Sequence, residues 1–168
     1  SYSTMSKMSI PELIQVLPSL VGDLPPEKRL ALAASCCERA MPNYIAFSNA
    51  TGWGDWTVLR ECLDKVWQHL AEERKLDKAE VEELKQACLA AAPDADEFPE
   101  EGLTGAAQEA AFMLAVLLEM SGQGDVQNLI RVCSLGRDTI DRHVQMVRGL
   151  DYGVADFEAL IANDPLMA

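Results

Sequence analysis

Between Glu109 and Glu119 the chain reads AAFMLAVLL, nine residues without a polar side chain. Extended to Thr104 and Ser121, the run places Phe112, Met113, Leu114, Val116, Leu117, Leu118 and Met120 nearly all around a helix. Such a helix cannot lie on a surface with one side in water. It has to be the central helix of a bundle. It is also too short to cross a bilayer. The expectation is therefore a soluble, cytoplasmic, all-α protein, a single-domain bundle of about six to eight helices around this apolar one. A length of 168 residues suits one such core.

The remaining segments supply helices with one apolar face. Ser9-Ile10-Pro11-Glu12 reads as a capping box that opens a helix to about Leu20. Residues 1–8 read as a tag remnant or a frayed start, and 9–168 as one helical domain. A second helix comes after Pro25-Pro26, with Leu30, Ala33, Ala34, Cys37 and Met41 on a face of mainly small residues. Pro42 offers no N–H to the Glu38 carbonyl, so the helix is predicted to end or kink there. A short helix from Asn43 to about Asn49 then leaves at an angle. Glu38 and Arg39, adjacent and charged, read as a structural ion pair at that break. With Asn43 and Tyr44 they make a polar cluster, or, on a rival reading, a pocket for a ligand or reaction.

Glycine and aspartate punctuate the chain beyond Asn49. Gly52 stops one helix and Asp55 caps the next, whose stripe is Trp56, Leu59, Leu63, Val66, Trp67 and Leu70. Both tryptophans of that stripe read as core anchors. Trp53, between two glycines, reads as a plug over the bundle end or an exposed contact residue. Asp77 and Glu80 open a helix to about Ala92, with Val81, Leu84, Cys88 and Leu89 inward. The loop from Pro93 to Gly105 carries Asp94, Asp96, Glu97, Glu100 and Glu101 and no basic residue. Gly122-Gln123-Gly124-Asp125 repeats the corner at Gly52 and opens a long helix to about Arg148. A short one, capped by Asp156, runs to Ala162.

The motifs CERAMPNYIAF, TGWGD, the LxxxW helix after them and APDADEF resemble the bacterial YjaG family, domain of unknown function 416. The resemblance runs from about Leu24 to Pro165. It implies an all-helical fold and carries no established activity, so no catalytic residue transfers to Glu38, Arg39, Asn43, Tyr44 or Asp55. It also implies that this chain lacks a final acidic C-terminal helix found after the segment matching Asn163-Asp164-Pro165.

Chemistry narrows the function by exclusion. A net charge of −13 argues against nucleic acid, whose phosphates need a clustered basic surface. Cys36, Cys37, Cys62, Cys88 and Cys133 form no CxxC and read as reduced thiols, with no metal site and no cofactor expected. His69 and His143 have no Glu-x-x-His partner for a di-iron bundle and no distinctive nucleophile nearby. The expectation is a non-catalytic, acidic protein-binding module, such as an immunity or antitoxin-like inhibitor of a basic toxin. Its contact residues would be Trp53 with Asp94, Asp96, Glu97, Glu100 and Glu101. The alternatives are an enzyme or ligand carrier built on the Glu38 cluster, and a protein whose partner is itself.

Overall fold

The computed structural model describes residues 24–121 and 127–136. The expected helices at Ile10–Leu20 and Asp156–Ala162, the corner at Gly122, the chain beyond 136 and His143 lie outside them. The described residues form a single all-α bundle. Helix α1 is Pro26–Thr51, α2 Trp56–Leu70, α3 Lys78–Ala91 and α4 Thr104–Met120, and α5 is the helical stretch 127–136. A 3-10 turn at Ala95–Glu97 lies between α3 and α4.

Helix α4 is central, as its sequence demands. Met113, Leu114, Leu117, Leu118 and Met120 are fully buried, and the helix packs chiefly against α1 and α3, and also against α2 and the 3-10 turn. The small face of α1 is what lets it approach: Ala33, Ala34, Cys37 and Ala40 are all buried. Caps fall where expected. Asp55 accepts from the Thr57 N–H at 2.9 Å, Asp77 from the Glu80 N–H at 2.8 Å, and Gly52 closes α1 at a φ of 69°. The return half of the second capping box is absent, because the Glu80 carboxylate pairs with Arg74 instead.

Pro42 does not break α1. One helix of 26 residues runs through it. Pro42 is exposed, so the carbonyl it leaves without a donor faces the water side. The apolar face continues on both sides of it, with Met41, Tyr44 and Phe47 buried. Tyr44 also donates its hydroxyl to the Ala91 carbonyl at 2.7 Å, tying this half of α1 to the end of α3. Tertiary contacts on both flanks outweigh one missing bond.

Glu38 finds a different partner from the one its neighbour offers. The Arg60 guanidinium on α2 grips both its oxygens, at 2.8 and 2.6 Å, and the Trp67 indole N–H donates to it at 3.0 Å. Arg60 also reaches Asp64, 2.7 Å away. Consecutive residues on a helix diverge by about 100°, so Arg39 points elsewhere and is exposed. The expected cluster is therefore dispersed: Glu38 belongs to α2's polar edge, Tyr44 to the core, and Arg39 to solvent. Arg60→Ala is expected to cost about 1–2 kcal/mol, the lower part of the range for charged hydrogen bonds because the pair is part-exposed. Arg39→Ala should stay within about 0.5 kcal/mol. Urea midpoints of the two variants check this, and a larger loss for Arg39→Ala would reverse the assignment. The Arg60 guanidinium also holds the Glu38 carboxyl below its ordinary range. Its contribution is thus complete above the unfolded carboxyl's pKa and drains away as pH falls through the folded value.

Candidate functional site

The end of the bundle holding the α1–α2 turn brings together the residues singled out as contacts. Thr51 accepts the Trp53 N–H at 3.2 Å, and the Ser48 hydroxyl donates to the Gly54 carbonyl at 3.0 Å, so the turn is pinned to the last turn of α1. The Trp53 ring is thereby laid edge-on against Phe47, centroids 6.1 Å apart. Phe98, from the acidic loop, completes the group, 5.2 Å from Phe47 and 5.7 Å from Trp53. Three rings from three segments meet, and the loop hangs on them.

The loop itself is ordered by its own carboxylates. Asp94 accepts from the Asp96 N–H at 3.0 Å and caps the 3-10 turn. Glu101 accepts from the Leu103 N–H at 3.1 Å, while the Thr104 hydroxyl donates to the Glu101 carbonyl at 3.0 Å. Asp94, Asp96, Glu97 and Glu100 are exposed, and Glu101 is half-buried. None of the five forms an ion pair among the described residues. Asp55, also exposed and with its carboxyl drawn down by the Thr57 hydroxyl and N–H, stands beside the same turn.

Residues 19–168 match the family described as protein of unknown function (DUF416). The chain belongs to this family. It is similar to the uncharacterized protein YjaG of Escherichia coli (strain K12), 33% identical over 73 residues. That match takes in 42% of the chain and 35% of the relative, so the chain spans about a third of the curated protein it matches. The fold is also that of a DUF416 family protein from Shewanella baltica OS155, with a TM-score of 0.77 at 20% identity over 92% of this chain and 75% of the other. At that identity the likeness speaks for the fold alone.

The three tryptophans of the DUF416 chain stand in different settings, and Trp56 departs most from its expected place. Trp53 is half-buried between Phe47 and Phe98, a plug more than a free contact. Trp56, expected in the core, is 37% exposed. It is the first residue of α2, and the stripe it belongs to by spacing becomes buried only at Leu59, Cys62, Leu63 and Val66. Trp67 is half-buried and spends its N–H on Glu38. His69 accepts the Leu76 N–H at Nδ1, 3.2 Å away, and so holds the turn after α2.

A groove of about 620 Å³ lies on another side, between α3, α4 and α5. Leu89, Phe112, Val116 and Ile130 floor it. Leu89 was expected inward and is 38% exposed, because it faces this opening. At the rim Lys85 pairs with Glu119 at 2.7 Å, with Arg131 3.9 Å from the other oxygen. The groove shares no lining residue with the Glu38, Arg39, Asn43 and Tyr44 group, where the rival reading of the sequence placed a pocket.

Proposed function

We propose that this DUF416 chain is a non-catalytic module that docks a basic surface of another protein on the acidic end of its bundle. A neutralising inhibitor of a cationic toxin is the form that fits best. One coincidence carries the reading: exposed Trp56 lies just past the turn at Trp53, and the five-carboxylate loop is stacked on that same turn without a cation among the described residues. Crowded like charges repel one another, and an exposed indole gains nothing from water. A basic partner with an apolar seat relieves both. Long-range attraction then sets the association rate, and the buried indole sets how long the complex lasts. The anchor role passes from Trp53 to Trp56, with Trp53 holding the loop behind it.

The test starts from affinity capture out of native lysate, with two variants beside the parent. One carries amides at Asp94, Asp96, Glu97, Glu100 and Glu101, and the other is Trp56→Ala. The amide variant is expected to associate about tenfold or more slowly at low salt and to lose most of its salt dependence. Trp56→Ala should dissociate about tenfold or more faster, a loss of about 1.4 kcal/mol or above. Capture undiminished in both variants would remove this face from consideration, and recovery of the chain alone would favour self-association.

The groove favours a second reading, a carrier of an amphipathic anion. Its volume falls in the usual range for small-molecule sites, and two cations flank a single carboxylate at the rim of an apolar floor.

A further inference from the structure

The groove between α3, α4 and α5 owes its depth to Ala115. Phe112 and Glu119 stand on the same face of α4, one turn to either side, and the small side chain between them sets the floor back. The α5 wall is held in place from behind. Leu129 and Val132 are fully buried, and Gly136 lets α5 close on α4, since a methyl group there would stand 3.2 Å from Met113 Cε. The site is therefore formed before anything enters it.

Its floor and its rim differ in chemistry. The side chains of Leu89, Phe112, Val116 and Ile130 offer no donor and no acceptor. A sugar or a nucleobase laid on them would give up hydrogen bonds to water without replacement. An aliphatic tail gives up none and takes apolar surface out of water. At the rim Lys85 is engaged with Glu119 at 2.7 Å, but Arg131 is not. Its side chain is 61% exposed, stands 3.9 Å from that carboxylate, and makes no hydrogen bond among the described residues. Its planar fork of donors is open to a carboxylate. Two cations against Glu119 leave the rim one positive charge, in a chain whose net charge is −13. Glu82, one turn before Lys85, lies outside the lining and accepts from Gln86 at 2.8 Å.

Resting on the groove's reading as a carrier of an amphipathic anion, we propose that its ligand is an aliphatic monocarboxylate, a fatty acid of medium chain. The tail lies across Leu89, Phe112, Val116 and Ile130, and the head sits in the Arg131 fork with Lys85 behind it. A phosphate head suits the rim less well. Attraction grows in proportion to its second charge, but the cost of stripping water from it grows with the square of the charge, and Glu119 repels it more strongly. One carboxylate matches a rim of one net charge.

The test is calorimetric titration of the full chain with decanoate, decyl phosphate and decanol, at about pH 8, where the phosphate carries roughly two charges. Decanoate is expected to bind one per chain, more tightly than decyl phosphate and by about tenfold over decanol. From octanoate to decanoate the affinity should rise about fourfold for each added CH₂. Arg131→Gln should weaken decanoate about fivefold and leave decanol unchanged. Leu89→Glu, at a position 38% exposed, should weaken all three. Far-ultraviolet dichroism matching the parent shows that both variants are folded. Tighter binding of decyl phosphate would overturn the carboxylate and leave the anion carrier standing, whereas binding of none of the three would end both. Equal affinities for decanoate and decanol, or an Arg131→Gln variant that binds decanoate like the parent, would remove the rim from the site and the proposal with it.

Discussion

Truncating Phe47 to alanine is expected to cost about 3–5 kcal/mol of folding stability. A domain has only about 5–15 kcal/mol in all, so a large part of it goes. The ring is fully buried and sits among three others, Tyr44, Trp53 and Phe98. Its removal leaves a void that α1 and the turn cannot close, because Thr51 and Ser48 pin that turn. Trp53 and Phe98 lose the ring between them, and the acidic loop loses its mount. The urea midpoint should fall, and tryptophan emission should shift to the red in the native baseline. Phe112→Ala, a half-buried ring on the groove floor, is the control and should lose less than half as much. Equal losses would mean that the aromatic group does not support the loop.

Gly54→Ala is the second large effect, about 3 kcal/mol, from two causes that a cycle can separate. Gly54 has a φ of 81°, which an alanine adopts only with strain. A methyl group there would also lie 2.5 Å from the Tyr44 hydroxyl, which cannot retreat without losing the Ala91 carbonyl. Gly52 has a similar φ, 69°, and open space around it. Gly52→Ala should therefore show the strain alone, about 1–2 kcal/mol. Tyr44→Phe removes the hydroxyl and costs about 1 kcal/mol for its bond. In that background Gly54→Ala should cost about what Gly52→Ala does, a coupling of more than about 1 kcal/mol across the contact. Additive losses would place the whole effect in the backbone.

The features that local chemistry governs were legible in the sequence. An all-apolar run specifies a central helix, and Gly52, Asp55 and Asp77 specify ends, whatever the rest of the chain does. What escaped were pairings over long sequence distances. Glu38 has a cation next door in Arg39 and takes one 22 residues away, because helix direction decides which of them it can meet. The Arg60–Asp64 spacing on α2 was a visible sign that Arg60 stood on a polar edge. Pro42 obeys its local rule in losing a bond, yet a tie from Tyr44 to Ala91, 47 residues on, holds the helix together. Trp56 has the spacing of a core residue and lies one turn before the packed part of its helix begins. The acidic loop's attachment to Trp53 through Phe98 had no sequence signal beyond the two aromatics themselves.

The unbroken course of α1 through Pro42 bears on the order of folding. A proline inside a helix is disfavoured by about 3 kcal/mol relative to alanine, more than the first turns of an isolated helix gain. The two halves, Pro26 to Met41 and Asn43 to Thr51, therefore have little reason to align while the chain is open. Alignment comes when α2 grips Glu38 on one side of the proline and α3 receives Tyr44 on the other. The longest helix in the described bundle is thus among the last to become whole, assembled by the neighbours it later supports.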